Sequence, residues 1–177
     1  MASSKAFLTE AVQFAPVITL ASSFIVSGSV NVERAGTLFI ITGIAAAIIT
    51  AVLITKRILL NPILIGTNLW LFLGAVAFGV PFTPLARMMA EVQAGGLFSC
   101  TLGVGIVFSM IMDTGYIGMN HKNEALVQKL SAIMVGLTFF ALVWSFMFIN
   151  NIRVGGGLPF ILLNVTRRVL IRRSRAS

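Results

Sequence analysis

Residues 36–55 read GTLFIITGIAAAIITAVLIT, and the basic pair Lys56-Arg57 follows them directly. No charged side chain interrupts this stretch, and it has the length that an α-helix needs to cross a hydrocarbon core about 30 Å thick. Cations that follow an apolar run are typical of the point where a helix leaves a membrane. The stretch therefore predicts a membrane-spanning helix, and the rest of the chain can be divided by the same pattern.

The composition extends this prediction to the whole chain. Of the 177 residues, 58% are hydrophobic and 10% are charged, whereas soluble domains average about 45–50% apolar and about 25% charged residues. The mean hydropathy is +1.00. These values exclude a water-soluble globule and a disordered chain. The predicted fold class is all-α, a polytopic integral membrane helix bundle.

The apolar runs predict five full transmembrane helices and a short sixth segment, all within a single membrane domain. The full spans are expected at about 11–30, 36–55, 60–80, 92–112 and 130–149. The sixth segment, about 154–170, begins with Gly155-Gly156-Gly157 and Pro159, which weaken the opening turn of a helix. Three arrangements of this segment stay open: a short span, a re-entrant piece, or a helix that lies on the membrane. Residues 171–177 are expected to form a basic cytoplasmic tail.

Loop charges predict the orientation of these segments. Lys and Arg number 13 against 5 Asp and Glu, which gives a net charge of +8. With six membrane segments, ten of the cations fall on the side that holds both termini, and three fall on the other. Because cytoplasmic loops are enriched in Lys and Arg, both termini are expected in the cytoplasm. The cations separate apolar runs instead of forming a patch on a polar surface, so no nucleic-acid partner is expected.

The chemistry available within the membrane is limited. No Asp, Glu, Lys, Arg or His lies deep in the first five predicted spans. Ion-coupled carriers and intramembrane hydrolases keep ionisable groups at depth. One cysteine, Cys100, and one histidine, His121, also leave no zinc-ligand set. The sequence therefore predicts no enzyme activity, no catalytic residue, no metal site and no cofactor.

Small and polar residues within the spans are the candidates for helix packing or for lining a substrate path. In the first and fourth spans they recur every four residues, which places them along one helix face. Small residues let helix backbones approach closely, within one chain or between two copies of it. An amide in the third span must find a hydrogen-bond partner, because an unpaired amide in hydrocarbon is costly. The candidates are Ser23, Ser27, Asn68, Gly95, Ser99 and Gly103.

Five arginines lie within nine residues near the end of the chain, interleaved with apolar residues. Each cation near an anionic leaflet contributes about 1 kcal/mol of attraction. The run predicts contact with anionic lipid headgroups of the bilayer or with an acidic partner, and its alternative role is a topology anchor. The residues are Arg167, Arg168, Arg172, Arg173 and Arg175.

The order of these features resembles a known family. Phe7-Leu8 leads into a first helix with Pro16, and the second span ends at Lys56-Arg57. Lys129-Leu130 begins a fifth span that carries Phe139-Phe140, and a basic tail follows the final segment. This order and spacing is similar to that of the intracellular septation protein A family of small bacterial inner-membrane proteins. The resemblance implies a non-enzymatic protein linked to division, elongation and cell-wall synthesis, with no catalytic residues to carry over.

Three functions stay open at this point. The first is a non-enzymatic inner-membrane protein that supports envelope synthesis or division through helix and lipid contacts. The second is a small-molecule transporter or its substrate-binding subunit, which a ligand would stabilise against heat. The third is an accessory subunit of a larger membrane complex, which would co-purify with its partner in mild detergent. A homo-oligomer or a membrane-protein partner fits each of them.

Overall fold

The computed structural model describes residues 12–19, 32–56, 61–80 and 83–176. All regular secondary structure within these ranges is helical, which confirms the predicted all-α class. Helix α1 is described over residues 12–19. A π-helical turn, Arg153–Gly157, precedes the last helix. The other helices are α2 (Val32–Thr55), α3 (Pro62–Gly79), α4 (Thr83–Ile111), α5 (Glu124–Met147) and α6 (Leu158–Ala176).

Five stretches of the described helices are long and apolar enough to cross a membrane. This length and composition confirm the predicted polytopic membrane helix bundle. The first predicted span, 11–30, falls mostly outside the described residues. The five stretches are Gly36–Thr55, Pro62–Gly79, Pro84–Ile111, Glu124–Met147 and Arg153–Ser174.

Two helices begin earlier than the apolar runs predicted. α4 begins at Thr83, and Pro84 fits its first turn because no helical N–H is needed there. Non-helical angles at Gln93 (φ 43°, ψ −123°) break α4 there, so the part that follows the break starts close to the predicted residue 92. α5 begins at Glu124 instead of near residue 130, and the Asn123 side chain caps it by accepting from the Leu126 N–H. Hydropathy locates the part of a helix that is buried in lipid, whereas capping decides where the helix starts.

The sixth segment is helical throughout, and it extends beyond the predicted 154–170, from Arg153 to Ala176. The three glycines lie in the π turn, where the Leu158 N–H bonds to the Arg153 carbonyl. Regular α-helix then continues to Ala176, so most of the residues predicted as a tail are helical. Of the three arrangements left open, length and composition fit a span.

Pro159 leaves the π turn without one backbone N–H donor, and a side chain of α5 supplies a donor in its place. In a π-helix each N–H bonds five residues back, so residue 159 would donate to the Val154 carbonyl, but proline has no N–H. The indole Nε1–H of Trp144 donates to that carbonyl instead, over 3.1 Å. Gly155 lets the helices come this close, since a Cβ there would lie 2.6 Å from the Phe148 oxygen.

The chain divides into two compact units, which we describe separately. Unit 1 comprises Met1–Leu59 and Thr67–Ala90, and unit 2 comprises Leu60–Gly66 and Glu91–Ser177. In unit 1, α2 and α3 touch at Gly43, where any Cβ would collide with the Leu71 carbonyl. In unit 1 the backbones of α2 and α3 are therefore in direct contact at Gly43.

The core of unit 2 includes the segment that joins α4 to α5, residues 112–123, which we call the α4–α5 connection. Tyr116 and Ile117 in this connection are fully buried, as are Phe98 on α4 and Met134 on α5. Gly115 and Gly118 adopt positive φ angles of 55° and 64°, which turn the connection back toward the helices. A segment that sequence analysis treated as a polar interval therefore supplies core residues.

Trp144 and Pro159 can be tested as a coupled pair. Trp144→Phe removes the indole donor from the Val154 carbonyl and is expected to lower the free energy of unfolding by about 1–2 kcal/mol. Pro159→Ala supplies an N–H at the position that faces the same carbonyl. The loss caused by Trp144→Phe should therefore be smaller when Pro159→Ala is also present. Thermal unfolding of the four proteins in one detergent measures this coupling, and additive effects would contradict it.

Candidate functional site

Three parts of the chain meet at one end of unit 2. The side-chain Nδ2–H of Asn61, just before α3, donates to the side-chain Oδ1 of Asn164 on α6 over 3.4 Å. The Arg167 Nε–H of α6 donates to the Ile117 carbonyl of the α4–α5 connection over 2.9 Å. These contacts place the start of α3, the α4–α5 connection and the middle of α6 on the same side of the unit. We call this side the cationic end. The loop-charge count also assigns these segments to one side.

Hydroxyl groups on α5 hold the α4–α5 connection in place. The Ile117 N–H donates to the Ser131 Oγ over 3.2 Å. The Tyr116 hydroxyl lies 2.9 Å from the Thr138 Oγ1. Thr138 already donates its own proton to the Met134 carbonyl, so the Tyr116 hydroxyl is the donor in this pair. Burial raises the pKa of the Tyr116 phenol, so this hydroxyl keeps its proton at neutral pH.

The arginines predicted as lipid-headgroup candidates have different surroundings. Arg167 is only 6% exposed and bonds to the α4–α5 connection, so its headgroup assignment is corrected to a contact within the protein. Arg168, Arg172 and Arg173 are exposed. Arg175 is helical, and its side chain lies outside the described part of the structure. Lipid contact stays a prediction for the three exposed arginines.

The exposed arginines extend an apolar face of α6. Leu158, Leu162, Val165 and Val169 are each more than 40% exposed. With about 3.6 residues per turn they form one stripe, which we call the outward face of α6. Arg172 and Arg173 lie on either side of this stripe one turn further on, and Arg168 lies at its edge.

Cations therefore lie near both ends of the outward face, because Arg153, the first residue of the π turn, is also exposed. From Arg153 to Arg172 the helix rises about 28 Å at ~1.5 Å per residue. That rise is close to the ~30 Å of a hydrocarbon core. The spacing of these charges thus fits a helix that crosses a bilayer.

The small-residue candidates on α4 do not form one packing face. Gly95 is buried, and a Cβ there would lie 2.8 Å from the Phe146 ring. Ser99 is exposed, and its hydroxyl donates to the Gly95 carbonyl of its own helix. A Cβ at Gly103 would meet no atom within 4 Å, whereas a Cβ at Gly105 would lie 2.7 Å from the Tyr116 ring. The four-residue spacing therefore identified the contact of Gly95 with Phe146 and missed the contact of Gly105 with Tyr116.

The two candidates in the first span, Ser23 and Ser27, lie outside the described residues. Asn68 on α3 is 7% exposed, and its amide donates to the Thr50 Oγ1 on α2 over 2.9 Å. It thus has the partner on a neighbouring helix that its depth requires. Among the residues that the structure describes, its Oδ1 has no hydrogen-bond partner.

A small cavity of about 130 Å³ opens beside the α4–α5 connection. Its lining includes the carboxylates of Asp113 and Glu124 and the side chains of Gln128 and Ser131. Both carboxylates are exposed. The described ranges contain no group of three or more His, Cys, Asp or Glu residues placed to hold a metal ion. The cavity therefore offers polar contacts without a set of metal ligands.

No family model, curated protein or solved structure matches this chain. The resemblance to the septation protein A family accordingly stays a prediction. Contacts and exposures of the chain's own residues are therefore the basis for proposing a function.

Arg167 and Arg168 form a matched pair for testing the site. Arg167→Gln removes the charged donor to the Ile117 carbonyl, and we expect a loss of about 1.5–3 kcal/mol in the free energy of unfolding. Arg168→Gln removes the same charge from an exposed neighbour, and a change within about 0.5 kcal/mol is expected. Thermal unfolding and hydrogen exchange at the Ile117 amide measure the two effects. Equal behaviour of the two variants would show that Arg167 does not hold the connection.

Proposed function

We propose that this integral membrane protein resides in a bacterial inner membrane and supports envelope synthesis or division. It acts through contacts with neighbouring helices and lipids and carries out no chemical reaction. Both termini lie in the cytoplasm. Membrane integration follows from the five apolar helices. The remainder is supported by the contacts and charges of unit 2.

The observation that carries the proposal is how unit 2 uses its buried polar groups. Ser131, Thr138 and Arg167 all bond to the α4–α5 connection. A substrate path needs polar side chains that converge on a cavity. Of these three only Ser131 lines the small cavity of about 130 Å³, and all three bond to the connection. Their arrangement favours a packed helical body over a conduit.

The outward surface of unit 2 suits contact with lipids and other helices. Phe139 and Phe140 on α5 are 57% and 61% exposed, and Ile161 on α6 is 62% exposed. Side chains of this kind face either acyl chains or another apolar helix when a helix crosses a bilayer. A partner within the membrane would meet this surface first.

The charges at the cationic end support the orientation. Exposed Lys and Arg residues outnumber the exposed carboxylates of Asp113 and Glu124 there, and the positive-inside rule places such an end in the cytoplasm. The exposed cations are Lys122, Lys129, Arg168, Arg172 and Arg173. The link to division and cell-wall synthesis comes from the resemblance in order and spacing to the septation protein A family.

Cross-linking in living cells tests the proposed role. A photoreactive residue at Phe140, on the exposed face of α5, is expected to capture a membrane protein of the envelope machinery. The same residue at Met134, which is fully buried on the same helix, should give products only within the chain. Deletion of the gene should cause a division or wall-synthesis defect that the wild-type chain reverses. Absence of both a captured partner and an envelope defect would contradict the proposal.

One observation favours the transporter alternative. Asn68 presents a buried carbonyl oxygen without a partner among the described residues, and a ligand N–H or O–H would satisfy it. If this alternative holds, a compound from a vitamin and metabolite panel should raise the melting temperature of the wild-type protein. Asn68→Ala should abolish that rise, while Thr55→Ala, an exposed substitution on α2, should retain it. No stabilisation by any compound in the panel would count against this function.

A further inference from the structure

We propose that the outward face of α6 binds an anionic phospholipid of the surrounding bilayer. The phosphate lies against Arg172 and Arg173, and the acyl chains lie along Leu162, Val165 and Val169. The proposal depends on the membrane insertion stated under the proposed function and goes beyond it by naming a partner and the residues that bind it.

Packing determines which way these residues face. Leu163, Arg167 and Ser174 are 3%, 6% and 6% exposed and lie on the opposite side of α6. Arg167 and Ser174 contact the α4–α5 connection, through the Ile117 carbonyl and the Met119 sulfur. Since one side of the helix is held against the protein, the other side, with Arg172 and Arg173, must face outward.

The chemistry of this face selects an amphipathic partner. Leu162, Val165 and Val169 are 55%, 52% and 42% exposed, so an apolar strip leads directly to the exposed residues Arg172 and Arg173. A free phosphate or a nucleic acid would pair with the arginines and leave the strip uncovered. A phospholipid covers both, because its chains and its phosphate are joined in that order along the membrane normal.

Charge complementarity favours an anionic headgroup over a zwitterionic one. Residues 153–176, which include the π turn and α6, contain no Asp or Glu. Arginine binds phosphate oxygens through two parallel N–H donors, which gives stronger contacts than a neutral donor does. A zwitterionic headgroup carries its own cation close to the phosphate, and that cation would meet like charge at Arg172 and Arg173.

The test compares lipid binding by matched variants of the full chain in a neutral detergent. Dioleoyl phosphatidylglycerol and dioleoyl phosphatidylcholine are titrated, and binding is followed by native mass spectrometry and by the melting temperature. The wild-type protein should bind the anionic lipid more tightly. Arg172→Gln with Arg173→Gln should weaken that binding by about thirtyfold, since each cation near an anionic lipid contributes roughly a fivefold step in affinity.

Two further variants separate a local site from general charge. Lys56→Gln with Lys122→Gln removes the same number of charges from exposed positions outside α6, and binding should change by less than about threefold. Arg172→Lys with Arg173→Lys keeps the charge and should retain most of the affinity. Unchanged melting temperatures without added lipid would show that the variants fold.

Several results would overturn the inference. These are equal binding of the two lipids, equal loss in the Lys56/Lys122 variant, and equal binding of glycerol phosphate or a DNA oligonucleotide at the same arginines. Reporter fusions at Asn120 and Asn150, which are exposed in the α4–α5 and α5–α6 connections, test membrane insertion separately. Opposite locations for these two fusions with no lipid preference would reject the lipid site and leave the membrane role standing.

Discussion

Neither a bilayer nor a packed protein core has water to complete a hydrogen bond, so polar groups buried in either must bond to each other. In unit 2 this requirement is met mainly by α5. Its Ser131 and Thr138 hydroxyls accept from the α4–α5 connection, and its Trp144 indole donates to the Val154 carbonyl that Pro159 leaves without its π-helical donor. The position of the connection at one end of α5, and of the π turn at the other, depends on these bonds.

The same requirement divides the arginines of α6 into two kinds. A buried arginine needs strong hydrogen bonds to offset the loss of water, and Arg167 donates to the Ile117 carbonyl. Arg172 and Arg173, about one and a half turns further along, face outward at the end of an apolar strip. One face of α6 thus packs into the core of unit 2, and the opposite face, with Arg172 and Arg173, is exposed.

Close contacts in unit 2 occur where a glycine leaves room for a ring or a carbonyl group from another part of the chain. Gly105 faces the Tyr116 ring, and Gly155 faces the Phe148 carbonyl. Ser99 and Gly103, although spaced as a packing motif, lie on an exposed face of α4. Small residues permit a close approach on any side of a helix, and the groups on the other helix decide which side is used. Spacing within one helix therefore cannot identify the contact by itself.

The sequence alone determined the class of the protein and most of its segments. Hydropathy and charge are properties of single residues that add up along a chain, so runs such as residues 36–55 were sufficient to predict membrane helices. The same reasoning grouped the start of α3, the α4–α5 connection and α6 on one side. It treated the connection as polar and placed Arg167 with the lipid-facing arginines. Only the tertiary structure decided these points, because they depend on hydrogen bonds such as that of Arg167 to Ile117, between residues 50 positions apart in the chain.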